Sequence, residues 1–271
     1  MLIIKLVNFT KGIDINMNER IGEETKNKFG SKMKIIAYRK YNDVDVYFEE
    51  YNWIAKNRQY IDFQKGEIKC PYERRVYNVG FIGEGKYKPN INRKNTECYT
   101  VWQHMIRRCY DNKIHKKRPT YIDCKVCDEW LNFQNFAEWY YNNYYEVEGE
   151  QMCLDKDILY KGNKIYSPET CVFTPNGINV LFTKSNKARG KYPIGVSKEK
   201  TTGKFKAECQ KQLCEKSESR YLGLYDTPEE AFYIYKIEKE KYIKYVADKY
   251  KDKIPENLYN ALYKYEVEIN D

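Results

Sequence analysis

The chain has 271 residues, is 42% hydrophobic and 32% charged, and carries a formal net charge of +9 with a pI near 8.8. That balance sets aside a disordered chain and a membrane-embedded body. It also argues against a protein that mimics DNA with acidic side chains, and it suits a polyanion partner.

No apolar run approaches the roughly 18 residues that a membrane span needs, so no membrane partner is expected. The opening MLIIKLV, Met1 to Val7, is too short for one and reads as a first strand. Nine cysteines stand at 70, 98, 109, 124, 127, 153, 171, 209 and 214. An odd number without a signal peptide points to reduced thiols in a cytoplasm. Cys124-x-x-Cys127 is the only pair at zinc-like spacing, and it lacks the second Cys or His pair that a structural zinc needs.

The length suggests two or three small domains. A β-rich module is expected over 1–88. Met33 to Arg39 and Val44 to Phe48 alternate as strands about a turn at Lys40 to Asp43. Tyr60 to Phe63 and Val76 to Ile82 read as further strands, and the set implies a small β-barrel-like module. Gly83-x-Gly85 lacks the βαβ context of a nucleotide loop. Lys88 to Glu97 reads as a polar linker.

A helix is expected over Glu97 to Tyr110, where Tyr99, Trp102, Met105, Ile106 and Cys109 recur at helical spacing. Arg107 and Arg108 lie off that apolar face, and Asn112 to Arg118 reads as a basic loop open to phosphates. Both histidines, His104 and His115, fall here. Tyr121 to Cys127 reads as a strand. Leu131 to Tyr145 reads as an amphipathic helix whose aromatic stripe is core.

The stretch Leu154 to Asn179 (LDKDILYKGNKIYSPETCVFTPNGIN) runs strand, turn, strand, short helix. Asp155 and Asp157 bracket Lys156 at its front, and Lys161-Gly162-Asn163-Lys164 supplies the turn. With the helical preface that precedes it, this stretch resembles the HNH cores of phage homing endonucleases. The resemblance implies a ββα-metal finger over 97–183. Asp155, Asp157 and Asn179 would surround one Mg²⁺ or Mn²⁺, which stabilises charge on the scissile phosphate. It also sets Lys156 at the general-base histidine and Thr170 at the middle asparagine. A protonated lysine accepts no proton unless burial lowers its pKa by several units. Either a nuclease or a scaffold with a worn catalytic centre follows, with His104 the candidate to complete the centre from outside.

Lys184 to Lys191 reads as a basic linker. Beyond it Ile194 to Ser197, Gly203 to Ala207, Tyr221 to Gly223 and Asp226 to Phe232 resemble an AP2 domain over 191–271. Independently, Phe205, Ala207 and Cys209 alternate with Lys204, Lys206, Glu208 and Gln210. Thr227-Pro228-Glu229-Glu230 opens a helix. The AP2 resemblance implies a three-stranded sheet on one helix, with Ser197, Lys198, Lys200, Lys204, Lys206 and Tyr221 toward DNA. Pro255 to Asp271 reads as a docking helix and short strand. The expected fold class is α+β, and the expected partner is double-stranded DNA in a bacterial host cell. The alternative is a host nucleoprotein complex, bound by a regulator or by an inhibitor of an immune effector.

Overall fold

The computed structural model describes residues 17–182, 191–213, 216–269 and 271. The strand expected at Met1 to Val7, most of the Lys184 to Lys191 linker and Cys214 lie outside them. The fold is mixed α+β, built from several small sheets. No described helix is long and apolar enough to cross a membrane.

The described residues fall into two compact units, one made of those up to Thr96 with Leu131–Gln134, the other of Glu97–Trp130 with those from Asn135 onward. In the first, β1 (Glu24–Lys26), β2 (Lys32–Lys40), β3 (Asp43–Phe48) and β4 (Trp53–Arg58) pair antiparallel in chain order. Met33, Ile35, Val44, Val46, Phe48 and Ala55 line its buried face. The barrel-like expectation is corrected here, because the four strands form an open sheet with no closure among the described residues.

Tyr60 to Phe63 is also corrected, from strand to helix α1 (Tyr60–Gln64). Its two buried residues, Tyr60 and Phe63, are three apart and share one helical face. The stretch Val76 to Ile82 makes only isolated bridges, Val76 to Gly80 and Phe81 to Asn132. Gly83, at φ +70°, and Gly85 leave no room for a Cβ against the Asn132 and Gln134 amides. Gln134 then accepts from Tyr87 N at 3.0 Å and donates to Tyr87 O at 2.9 Å. The Gly-x-Gly therefore seats two amide side chains. The expected linker holds a hairpin, β5 (Asn90–Ile91) and β6 (Lys94–Asn95), turned by Asn92 and Arg93 at positive φ.

In the second unit α2 (Glu97–Tyr110) buries Cys98, Trp102, Met105, Ile106 and Cys109, and the Trp102 indole donates to Trp130 O at 2.7 Å. The expected basic loop is helix α3 (Asn112–Lys117), which forms because Asp111 caps it by accepting from Lys113 N. Only β7 (Lys125–Val126) of the expected Tyr121 to Cys127 strand is formed. Helix α4 (Phe133–Asn143) spans less than expected.

The finger follows. β8 (Met152–Asp155) pairs antiparallel with β10 (Val172–Pro175), while β9 (Ile165–Tyr166) pairs parallel with β7. Helix α5 (Asn176–Asn179) closes it. Phe173 of β10 packs on Trp139, Tyr140 and Tyr144, so α4 backs the finger.

The last elements are a sheet of β11 (Val196–Lys198), β12 (Phe205–Leu213) and β13 (Lys216–Tyr225), covered by α6 (Pro228–Tyr250), then α7 (Glu256–Tyr263). After α7 no strand forms among the described residues. The finger's Ile158, Val172, Ile178 and Leu181 share one core with Val196, Ala207 and Cys209 of the sheet and Ala231, Ile243 and Val246 of α6. Burying each of the Val, Leu and Ile side chains among them is worth about 1.5–3 kcal/mol.

Candidate functional site

Asp155 ends β8 opposite Val172, and its Oδ1 accepts from Asp157 N at 2.9 Å and Ile158 N at 2.8 Å. An acid after a strand commonly folds the chain this way, by accepting from N–H groups two and three residues on. Burial and the neighbouring Asp157 carboxylate raise the Asp155 pKa to about 6, against the pull of those two bonds and of Lys156.

Lys156 turns inward. It is 6% exposed, its Nζ lies 3.2 Å from Asp157 Oδ2, and it sits over the Tyr166 ring at 5.8 Å. Asn163 fixes the turn that returns to β9, donating to Lys156 O and Ile165 O, both at 2.7 Å. Thr170 donates to Ile165 O at 2.8 Å and lies 3.1 Å from Ser167 Oγ. It is a turn-closing residue beside Tyr166. Asn179 lies at the end of α5, just past the fully buried Ile178. Glu150 anchors the start of α5 by accepting from Gly177 N at 3.0 Å, and the Tyr250 hydroxyl of α6 donates to its other oxygen.

The structure thus brings Asp155, Lys156 and Asp157 together at one strand end. Both acids are engaged within the protein, Asp155 by backbone N–H groups and Asp157 by Lys156. Among the described residues no three His, Cys, Asp or Glu side chains converge as a metal site. Of the histidines, His104 is exposed on α2, its pKa lowered by partial burial and by Arg108 and Arg107. His115 is spent on Arg108 O at 3.0 Å. Burial raises the thiol pKa of Cys124 and Cys127, as for buried cysteines in general.

Two groups of basic residues flank the finger. On α2, Arg107 is exposed and lies 3.3 Å from Asp111. Arg108 is partly buried, and no spacing rule in the sequence signals that it turns inward. On the sheet, Ser197 pairs with Lys206 and Glu208 with Tyr221, which places these four on the face away from α6. Tyr221 is 59% exposed. Lys206 is ion-paired to Glu208 at 2.8 Å and Lys204 to Asp226 at 3.0 Å. Lys198, opposite Phe205 and over its ring at 5.7 Å, belongs to the other face, since neighbours along a strand point opposite ways. Lys200 is exposed in the turn before β12.

No protein-family model matches the chain, and no curated protein or solved structure matches it either.

Proposed function

We propose that the protein binds duplex DNA on the plan of the HNH–AP2 endonucleases, with a finger that holds the backbone without cutting it. The observation that carries this reading is Lys156, buried and ion-paired to Asp157 at the position where the family keeps its general base. An ammonium held by a carboxylate donates hydrogen bonds and takes no proton from water. The sheet supports the binding half. Lys206 and Tyr221 share the face away from α6, and Lys204 stands beside it. Partly exposed pairs such as Lys206–Glu208 and Lys204–Asp226 contribute little and exchange readily for phosphates.

A salt titration of duplex binding, read by fluorescence anisotropy, tests the reading. Log K should fall with log[salt] at about −0.9 per phosphate neutralised. Replacing Lys204 and Lys206 together by Ala should flatten that slope by roughly two units. An unchanged slope moves the surface to Arg107, Arg108 and the Lys113 to Arg118 segment.

A second reading is a one-metal DNA nickase, supported by the strand–strand–helix order β8, β10, α5, with Asp155 at the end of β8 and Asn179 at the end of α5. It requires Asp157 to exchange Lys156 for Mg²⁺ or Mn²⁺. A protein that binds no free duplex would instead suit a host nucleoprotein complex.

A further inference from the structure

One side of the second unit carries cations that no acid neutralises. In α3, Lys113, Lys116 and Lys117 stand three and four apart, so they share a helix face, and all three are exposed. Arg118 follows, also exposed, with its N–H tied to Ile114 O at 2.7 Å. The short 3-10 turn Pro119–Tyr121 then brings in a second segment, because Lys164 Nζ donates to Thr120 O at 3.3 Å. Lys164 O in turn accepts from Lys125 N at 2.9 Å, where β7 and β9 run parallel. Lys125 and Lys164 are exposed too.

These six differ from the cations of the sheet. Lys204, Lys206 and Lys211 are ion-paired to Asp226, Glu208 and Glu238 at 3.0, 2.8 and 2.7 Å. Lys113, Lys116, Lys117, Arg118, Lys125 and Lys164 make no ion pair among the described residues. Between Asn112 and Lys125 the one acid is Asp123, itself exposed. Lys116 and Lys117 suit the negative end of α3. Lys125 and Lys164 stand on and beside short strands, where no helix dipole calls for them. Like charges gathered without acids repel one another and raise the local potential, which a polyanion relieves.

We propose that this face, from α3 to the β7–β9 ladder, is a second contact for the backbone phosphates of duplex DNA. The inference rests on the duplex-binding reading and deepens it. The sheet's Lys204 and Lys206 must first give up their acids to meet a phosphate, and these six need not. Lysine ammoniums take phosphates as point charges, so the contact positions the duplex and reads no bases. Its signature is ionic, because each cation that meets a phosphate releases counterions.

Salt titration of a labelled duplex by fluorescence anisotropy, on the full chain, tests this. Replacing Lys116, Lys117, Lys125 and Lys164 together by Ala should flatten the slope of log K against log[salt] by roughly three to four units and weaken binding at least about tenfold. Replacing the same four by Arg should keep the slope within about one unit of wild type. Asp123→Asn removes the one acid and should tighten binding several-fold. A slope unchanged in the folded Ala variant, with wild-type binding intact, overturns this face and leaves the duplex reading standing. A wild type that binds no duplex defeats that reading and this face with it. Binding to phosphatidylserine vesicles that the Ala variant loses, while it keeps its duplex slope, overturns the duplex contact in favour of a lipid surface.

Discussion

Asp155 accepts two backbone N–H bonds that favour its charge, yet burial and Asp157 raise its pKa to about 6. In the unfolded chain the value returns to about 3.9. A carboxyl whose folded value is the higher one binds its proton more tightly in the native state. Its contribution to stability is therefore complete below pH 4 and is lost as the pH rises through 6. At neutral pH the ionised group costs about 2–3 kcal/mol at most, at 1.36 kcal/mol per unit. Asn at this position keeps the accepting oxygen and removes the charge. Asp155→Asn should thus raise the melting temperature at pH 7 and flatten the stability profile between pH 4 and 6, as followed by circular dichroism. A wild-type profile already flat in that window would contradict this account of Asp155. The two acids and the lysine were legible in the sequence as a triplet. Which of them turns inward was not, because that depends on Tyr166, ten residues away, supplying the ring that Lys156 covers.

Elements with strong local signals were read well. Thr227 accepts from Glu230 N, and the Glu230 carboxylate accepts in return from Thr227 N, with Pro228 at the first helical position. Such a capping box is written in four consecutive residues and needs no tertiary partner. Thr227→Ala should cost about 1 kcal/mol and fray the first turn of α6, visible as faster amide exchange there. Exchange unchanged at Ala231 would show that core packing alone holds the turn. Elements without such signals were missed. In α1, Tyr60 and Phe63 pass for part of an alternating strand until the sheet shows which side is covered. In α3, a run of cations hides a helix that Asp111 starts from outside it. The β5–β6 hairpin turns on Asn92 and Arg93, and a positive φ at arginine has no sequence mark.

At the scale of the molecule, the finger and the sheet–helix module share one core. Ile178 and Leu181 of the finger pack in the same cluster as Val196, Ala207 and Ile243, and Tyr250 of α6 reaches Glu150 beside α5. The sequence separates these parts by a basic stretch at Lys184 to Lys191, and a change of composition carries no information about contacts across it. The finger and the sheet's lysines therefore belong to one unit. The most direct measurement is a supercoiled-plasmid assay in Mg²⁺ and in Mn²⁺, at protein concentrations where the plasmid is fully bound. The account predicts retarded, uncut plasmid in both metals. Nicking by the wild type that disappears in Asn179→Ala would contradict it.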